Sequence, residues 1–167
     1  MDKLGIFPIH DIIAIGDLHG DILPLLSICV HANLIELIIS KDCITEGDYD
    51  CDNWNWIGGN TFLVQMGDIF DGSRSSGKEY FVDYEVEIYN FLIKLKKKAQ
   101  EVGGDVILLM GNHEIMNFKG DFRYVDKNSM TKCYKETSDS ISYKHHKTRD
   151  CDHRKQLFKL NGTLARM

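Results

Sequence analysis

The sequence lacks any apolar run that approaches the roughly 20 residues of a membrane-spanning helix. Its N-terminus lacks the basic region and the apolar core of a signal peptide. Internal repeats and low-complexity tracts are also absent from the sequence. These absences predict a globular protein that needs no membrane partner and is found in the cytoplasm.

A surplus of positive charge is missing as well, because the 167 residues carry a formal net charge of -5. Bulk charge therefore gives no indication of nucleic-acid binding, and we expect no such partner. The length suits one domain with a sizeable core. The cysteines are odd in number and scattered, which argues against a disulfide framework and favours a reducing compartment. They are Cys29, Cys43, Cys51, Cys133 and Cys151.

The first chemically informative stretch is residues 16–21, with the sequence GDLHGD. An apolar, β-branched segment over 12–15 precedes it and predicts a buried strand. A helix start follows, with Pro24 in its first turn. The stretch therefore places Asp17 and His19 at the carboxyl end of a strand, where open α/β sheets bind ligands. An Asp-x-His sequence alone is also typical of a polar turn.

Strands and helices alternate along the next part of the chain. The predicted elements are a strand over 12–15, a helix over 21–37, a strand over 61–66, a helix over 80–102 and a strand over 106–110. This order predicts an α/β fold with a parallel βαβαβ core. The polar segment 40–60 is predicted to be a surface insertion. Its Trp54 and Trp56 are expected to fold back and cover the next strand, and an exposed partner site is the alternative.

Each predicted strand ends in glycine followed by a residue that can bind a metal, at 16–17, 67–68 and 111–112. Neighbouring parallel strands present their carboxyl ends about 5 Å apart. We therefore expect Asp17, His19, Asp68 and Asn112 to share one small cavity. Asp17, Asp68 and Asp71 would repel one another there unless a pair of cations were bound, and Asp68 is the natural bridging ligand. Mixed nitrogen and oxygen ligands suit Mn, Fe or Zn more than Ca.

Two cations about 3.5–4 Å apart suit displacement at phosphorus, where they activate a water and neutralise phosphoryl oxygens. His113 follows Asn112 and is placed to protonate the leaving alkoxide. Asp71 is placed to orient His113 by accepting its second ring N–H. The alternatives for His113 are a third metal ligand or a hydrogen-bonded turn residue. We expect Glu114 to hold the loop and not to bind metal.

The segments GDLHGD at 16–21, GDIFD at 67–71 and GNHE at 111–114 resemble the motifs of the calcineurin-like metallophosphoesterases. Residues 111–125 and the WIGG segment at 56–59 are similar to the Shewanella-like branch of the protein-phosphatase-type enzymes. The resemblance implies the α/β/β/α sandwich of that family and a dinuclear metal centre. It implies that Asp17 and His19 bind the first metal, that Asp68 bridges and that Asn112 binds the second. It also implies that His113 is the acid of the reaction and is paired with Asp71.

The sequence departs from the family pattern in two places. An arginine that binds the substrate phosphate follows the second motif in the family, but Gly72 and Ser73 stand there. Either Arg74 reaches the phosphate from its loop or this contact is lost. Arg123 is a second candidate for the role, and the alternative for Arg123 is an ion pair with an aspartate. The two later metal-binding histidines of the family have no counterpart. Residues 1–167 therefore resemble the front half of the domain, apparently truncated at the C-terminus.

The segment beyond Asp126 is polar and basic, and we expect it to be a solvated loop. Arg154 is one of its basic residues. The segment also contains histidines and cysteines whose spacing matches no familiar zinc pattern, so a small zinc site or a substitute metal ligand is only an alternative to a surface loop. These residues are Cys133, His145, His146, Cys151 and His153.

Three functions are compatible with these residues. The first is a metal-dependent phosphatase that resembles the protein phosphatases and acts on a phosphoprotein. The second is hydrolysis of a nucleotide or another small phosphoester by the same centre. The third is a catalytically weak metal-binding or interaction module, which the missing histidines favour. A front half of the domain would also expose an unfinished, apolar sheet face.

Overall fold

The computed structural model describes residues 11–38, 54–72, 84–125, 154–159 and 164, and the backbone alone of 132–136, 141–145 and 152–153. These residues form seven strands and four helices. In chain order the elements are β1 (Ile12–Ile15), α1 (Ile22–His31), β2 (Ile35–Leu37), β3 (Trp54–Trp56), β4 (Phe62–Gln65), α2 (Glu85–Gln100), β5 (Asp105–Leu108), α3 (Asn112–Phe118), β6 (Lys132–Glu136), β7 (Ile141–His145) and α4 (Asp152–Leu157). No helix in this part of the chain is long and apolar enough to cross a membrane.

The central sheet contains three strands in the spatial order β1-β4-β5, and both pairs are parallel. Its register aligns Ile13 with Leu63 and Val106 on one face. Leu63 and Val106 are fully buried, and they share one core with the apolar residues of α1 and α2. The predicted α/β class with a parallel βαβαβ core is therefore confirmed. The carboxyl ends of the three strands lie side by side at one edge.

The first helix ends earlier than the predicted span of 21–37, because α1 is only ten residues long. Asn33 adopts a left-handed φ of 52°. It donates its N–H to Val30 O at 3.0 Å, and Leu34 donates to Cys29 O at 2.8 Å. This pair of bonds is a Schellman motif, which ends a helix at a left-handed residue. The apolar spacing continues beyond the turn as β2, so periodicity alone did not reveal where the helix stops.

Residues 54–60 are the described part of the predicted insertion, and within it β3 pairs antiparallel with β2. Trp54 is buried, meets the Phe91 ring edge-on at 5.1 Å between centroids, and lies beneath Lys98 Nζ at 4.3 Å. The fold-back of this tryptophan is therefore confirmed. The surface that it covers is different from the expected one, because the β2–β3 pairing carries Trp54 onto helix α2.

The opposite face of the central sheet is exposed at the ends of its strands, whereas Val64 and Ile107 in its middle are half-buried. Ile12, Met66 and Leu109 are respectively 68%, 54% and 43% exposed, although all three are apolar. They alternate along the chain with the buried residues of the inner face. The expected open apolar sheet face is present in this part of the chain.

Candidate metal centre

The three strand-end motifs are joined by direct hydrogen bonds at the carboxyl edge of the central sheet. His19 donates its backbone N–H to Asp68 O at 2.9 Å, and Gly20 donates to Ile69 O at 2.8 Å. His113 donates its backbone N–H to Asp68 Oδ1 at 2.9 Å. Asp68 therefore connects the loop after β1 with the start of α3.

Two glycines make this close approach possible. A Cβ on Gly67 would overlap the backbone of Gly111, and a Cβ on Gly111 would overlap the side chain and the backbone nitrogen of Asp68. Gly67 also has a left-handed φ of 96°. Any larger residue would push the two strand ends apart. The two glycines are thus needed for the packing of these strand ends.

Glu114 is fully buried, and its carboxylate holds the loops of the site together. Its carboxylate accepts backbone N–H groups from Asp68 at 2.7 Å, from Ile69 at 2.9 Å and from Gly111 at 2.7 Å. Each of these bonds is strengthened by the negative charge of the acceptor. The expectation that Glu114 holds the loop is confirmed, since its two oxygens are occupied by backbone donors.

Backbone strain is concentrated at the same edge. Five non-glycine residues of the described part have positive φ, and four of them belong to the predicted site: Asp17 at 54°, His19 at 44°, Asp68 at 56° and Asp71 at 70°. The left-handed conformation costs such residues about 1–2 kcal/mol each. Strain of this kind persists where the surrounding structure enforces it, and it clusters at ligand sites.

His19 has one ring nitrogen bonded and the other free. Its Nδ1 lies 3.0 Å from Phe70 O, and because a carbonyl only accepts, Nδ1 carries the proton. Its Nε2 is buried without a hydrogen-bond partner and lies 3.7 Å from Asp17 Oδ1. A buried ring nitrogen that has no hydrogen-bond partner and lies next to a carboxylate fits a metal ion.

Of the four predicted ligands, Asp68 is buried, His19 is half-buried, and Asp17 and Asn112 are exposed. Atoms of His19, Asp68 and His113 lie within 4.8 Å of one another, and this is the one such group among the described histidines, cysteines and acids. Asp17 and Asn112 are exposed at the rim of the same edge, directly after β1 and at the start of α3. The nitrogen and oxygen donors of this group could hold a metal ion.

His113 and Asp71 form a buried pair beside this group. His113 Nδ1 lies 2.9 Å from Asp71 Oδ2, and the two side chains are 1% and 0% exposed. The His113 ring also meets the His19 ring edge-on, with centroids 4.8 Å apart. The contact expected between Asp71 and His113 is present, and it leaves Nε2 as the unassigned nitrogen of His113.

Three residues behind Asp71 were not expected from the sequence: Glu85 on α2, Asn117 on α3 and Arg154 on α4. Arg154 Nη2 donates to Asp71 Oδ1 at 2.9 Å, so the cation beside Asp71 is a guanidinium. The prediction that basic residues beyond Asp126 are solvated is wrong for Arg154, which is 2% exposed. Its signal in the sequence is the apolar pair that follows it, because Leu157 at the end of α4 and Phe158 directly after the helix are buried in the core.

The two candidate phosphate-binding arginines have different outcomes. Arg74 lies outside the described residues. Arg123 pairs with Asp121, with Nη2 2.7 Å from Oδ2, and it remains 66% exposed. This pairing is the alternative considered above, and hydrogen bonding from Arg123 holds the pKa of Asp121 below its usual value. The histidine and cysteine side chains of the late segment also lie outside the described part.

A family model of the calcineurin-like phosphoesterases matches residues 10–163 of the chain. Shewanella-like protein phosphatase 1 of Plasmodium berghei is 45% identical over 115 residues, which are 69% of this chain and 25% of that protein. Shewanella-like protein phosphatase 2 of Arabidopsis thaliana is 40% identical over 119 residues, which are 71% of this chain and 24% of that protein. The chain thus spans about a quarter of the length of the curated relatives that it matches.

A solved structure agrees with these relatives. A cold-active protein tyrosine phosphatase superposes with a TM-score of 0.51 at 32% sequence identity, over 72% of this chain and 28% of that one. The match includes a mixed α/β fold of the kind described above. With the family model covering nearly all residues, the motif-based prediction is confirmed, and the chain belongs to the calcineurin-like phosphoesterase family.

Proposed function

We propose that this chain carries a metal-dependent site for phosphoester hydrolysis at the carboxyl edge of its central sheet. The proposal rests on one observation, the buried Nε2 of His19 that has no hydrogen-bond partner. This nitrogen belongs to the same group of potential ligand residues as Asp68 and His113. A buried polar atom without a partner costs free energy, and a bound cation would remove that cost.

The proposed centre holds two divalent or trivalent ions of Mn, Fe or Zn. Asp17 and His19 would hold the first, Asn112 would hold the second and Asp68 would be shared by both, in keeping with their common position at the strand ends. When bound, the ions would supply an activated water and neutralise phosphoryl oxygens. Asp68 is suited to the bridge, because Glu114 and the N–H of His113 fix its backbone and one of its oxygens.

His113 is the proposed acid of the reaction. Asp71 Oδ2 accepts a hydrogen bond from the Nδ1–H of His113 at 2.9 Å, which holds the ring in one orientation. In the doubly protonated imidazolium, Nε2 then gives its proton to the oxygen of the leaving group as a water oxygen bonds to phosphorus and the old phosphorus–oxygen bond breaks, and the ring is left neutral with its proton on Nδ1. A positioned acid of this kind contributes about 10²- to 10⁴-fold to the rate.

The proposed substrate is a phosphoprotein. The named relatives are protein phosphatases, and the superposed structure is titled a protein tyrosine phosphatase. Arg74 or Arg123 is proposed to bind the phosphate, and Arg123 would have to exchange its bond to Asp121 for that role. A nucleotide or another small phosphoester remains the alternative substrate class.

Paired variants of two histidines test the proposal. We expect the wild type to bind Mn²⁺ in calorimetry and to hydrolyse p-nitrophenyl phosphate, and His19→Ala to lose both properties. His31→Ala is the matched control, because His31 is exposed on α1 and bonds Ser27 O within its own helix. Metal binding and turnover that persist in His19→Ala would contradict the proposed centre. Phosphoserine and phosphotyrosine peptides, compared with a dinucleotide polyphosphate, separate the substrate classes.

A catalytically weak metal-binding module is the second candidate. It is favoured by the single group of three ligand side chains found among the described acids, cysteines and histidines, which suffices for one ion more readily than for two. This candidate predicts metal binding without turnover and no change of activity in His113→Ala. The hydrolase predicts a loss of at least about 10²-fold in the same variant.

A further inference from the structure

Arg154 is a buried cation whose guanidinium reaches two helices and one strand-end loop. Its Nη2 donates to Asp71 Oδ1 at 2.9 Å, its Nη1 to Glu85 Oε2 at 2.7 Å and its Nε to Asn117 Oδ1 at 2.7 Å. A buried charge is tolerated only when it is paired and hydrogen-bonded. Here two buried carboxylates and one amide oxygen satisfy the guanidinium, so its place is closely determined.

Each of these partners is hydrogen-bonded to His113, either directly or through Asp71. Asp71 Oδ2 lies 2.9 Å from His113 Nδ1. Asn117 donates to both oxygens of Asp71 at 3.0 Å and to the carbonyl oxygen of His113 at 2.9 Å. Glu85 Oε1 accepts the backbone N–H of Asp71 at 2.7 Å. The carboxylate of Asp71 is thus held on one oxygen by Arg154 and presents the other to the imidazole.

We propose that Arg154 is a positioning residue, which holds Asp71 in the rotamer that keeps His113 oriented for proton transfer. The inference rests on the proposed function, since it assigns a purpose to the orientation of His113. Without Arg154, Asp71 and Glu85 would be two buried negative charges near each other with no cation between them. Their separation, or entry of water, would release the Asp71 carboxylate and with it the imidazole ring.

The shape of the guanidinium explains why an arginine is found here. Its planar fork serves three acceptors on three elements at once, whereas a lysine ammonium is a point charge on a flexible stem. We therefore expect Arg154→Lys to restore the charge and only part of the orientation. Arg154→Met removes the charge and keeps much of the side-chain volume. Lys159→Met is the matched control, because Lys159 is an exposed cation near the end of the same segment.

Leaving-group dependence separates positioning from a general loss of fold. p-Nitrophenolate leaves without much help from an acid, whereas phenolate and alkoxides need the proton. We expect Arg154→Met to reduce kcat about 10²-fold or more on phenyl phosphate and less than about tenfold on p-nitrophenyl phosphate, with similar KM values. Arg154→Lys should lie between Arg154→Met and the wild type. Asp71→Asn should show the same pattern, and Arg154→Met should add little to it.

A metal-free measurement tests the same contact without any turnover. The Nδ1 proton of His113 should give a protected, downfield proton resonance in the wild type, identified by its absence in His113→Gln. We expect this resonance to be broadened or lost in Arg154→Met, weakened in Arg154→Lys and unchanged in Lys159→Met. Far-ultraviolet circular dichroism establishes which variants are folded. If Arg154→Met is not folded, Arg154→Lys is the variant to measure.

Two results would overturn the positioning role. One is an unchanged His113 resonance in a folded Arg154 variant. The other is an equal loss of kcat on both phosphate esters. If the wild type hydrolyses neither ester while the resonance behaves as expected, the proposed function fails and the positioning contact stands.

Discussion

Gly67 and Gly111 lie against each other where two neighbouring strands of the central sheet end, and a Cβ on either glycine would overlap the facing loop. This contact brings the backbone of Asp68 within reach of Glu114 and its side chain within reach of the His113 N–H. The spacing of the candidate ligands therefore depends on two glycines, which have no side chain that could bind a metal.

Gly111→Ala should lower both stability and metal affinity. The added methyl group would overlap Asp68 Oδ1 and its backbone nitrogen, so the strand ends must separate. Overpacking of this kind costs about 1–3 kcal/mol. We expect Mn²⁺ affinity in calorimetry to fall by at least about tenfold. Gly16→Ala is the matched control, because a Cβ there would meet Met66 at an ordinary 3.5 Å. Equal behaviour of the two variants would refute the packing role of Gly111.

Glu114→Gln should destabilise the fold without changing the volume of the side chain. The carboxylate accepts backbone N–H groups through both oxygens. An amide would replace one of these oxygens by an NH₂ group, which would face a backbone N–H that it cannot accept. We expect the free energy of unfolding in urea to fall by about 2 kcal/mol or more. Glu36→Gln serves as the control, since Glu36 is exposed on β2 and its replacement should change stability by less than about 0.5 kcal/mol.

Cys29 should make the fold less stable at alkaline pH. Burial raises the pKa of its thiol from 9.0 to about 12. As pH rises, the unfolded chain loses this proton near pH 9 while the folded chain keeps it. The contribution of Cys29 to stability is therefore complete below about pH 9 and is lost as pH rises toward 12.

Urea unfolding of the wild type and of Cys29→Ala checks this dependence. Between about pH 8 and pH 10 the wild type should lose roughly 1 kcal/mol more than the variant. The comparison cancels the other groups that titrate in this range. Parallel curves for the two proteins would show that the thiol is accessible to water in the folded state.

Arg123→Ala should raise KM for a phosphopeptide about tenfold and leave kcat nearly unchanged. The exposed ion pair with Asp121 contributes little to stability, so the melting temperature should not change. Asp121→Asn is the complementary variant, because it removes the ion pair and frees Arg123 to bind phosphate. Its KM should be equal to or lower than that of the wild type. An unchanged KM in Arg123→Ala would assign Arg123 to the ion pair alone, and Arg74→Ala would then be the variant to measure.

Much of the fold followed from local patterns. The apolar runs over 12–15, 61–66 and 106–110 predicted the three parallel strands, because strands of parallel sheets are rich in apolar residues. The expectation that the first run is a buried strand is wrong, since Ile15 is the one residue of β1 that is buried. Glycine and acid at the strand ends predicted a shared edge. The hairpin of β2 and β3 was missed, because its first strand follows a helix with the same apolar spacing and only the left-handed Asn33 separates them.

The sequence by itself determined which side chains follow the strands, and parallel pairing then required Asp17, Asp68 and Asn112 to share an edge. Only the tertiary structure decided what surrounds them. Asp71 and Arg154 are 83 residues apart in the sequence, yet Arg154 Nη2 lies 2.9 Å from Asp71 Oδ1. Glu85 and Asn117 form hydrogen bonds with both residues. No local spacing encodes such a pairing, because burial of a charge depends on which distant segments pack together. The orientation of His113 is therefore a property of the folded chain.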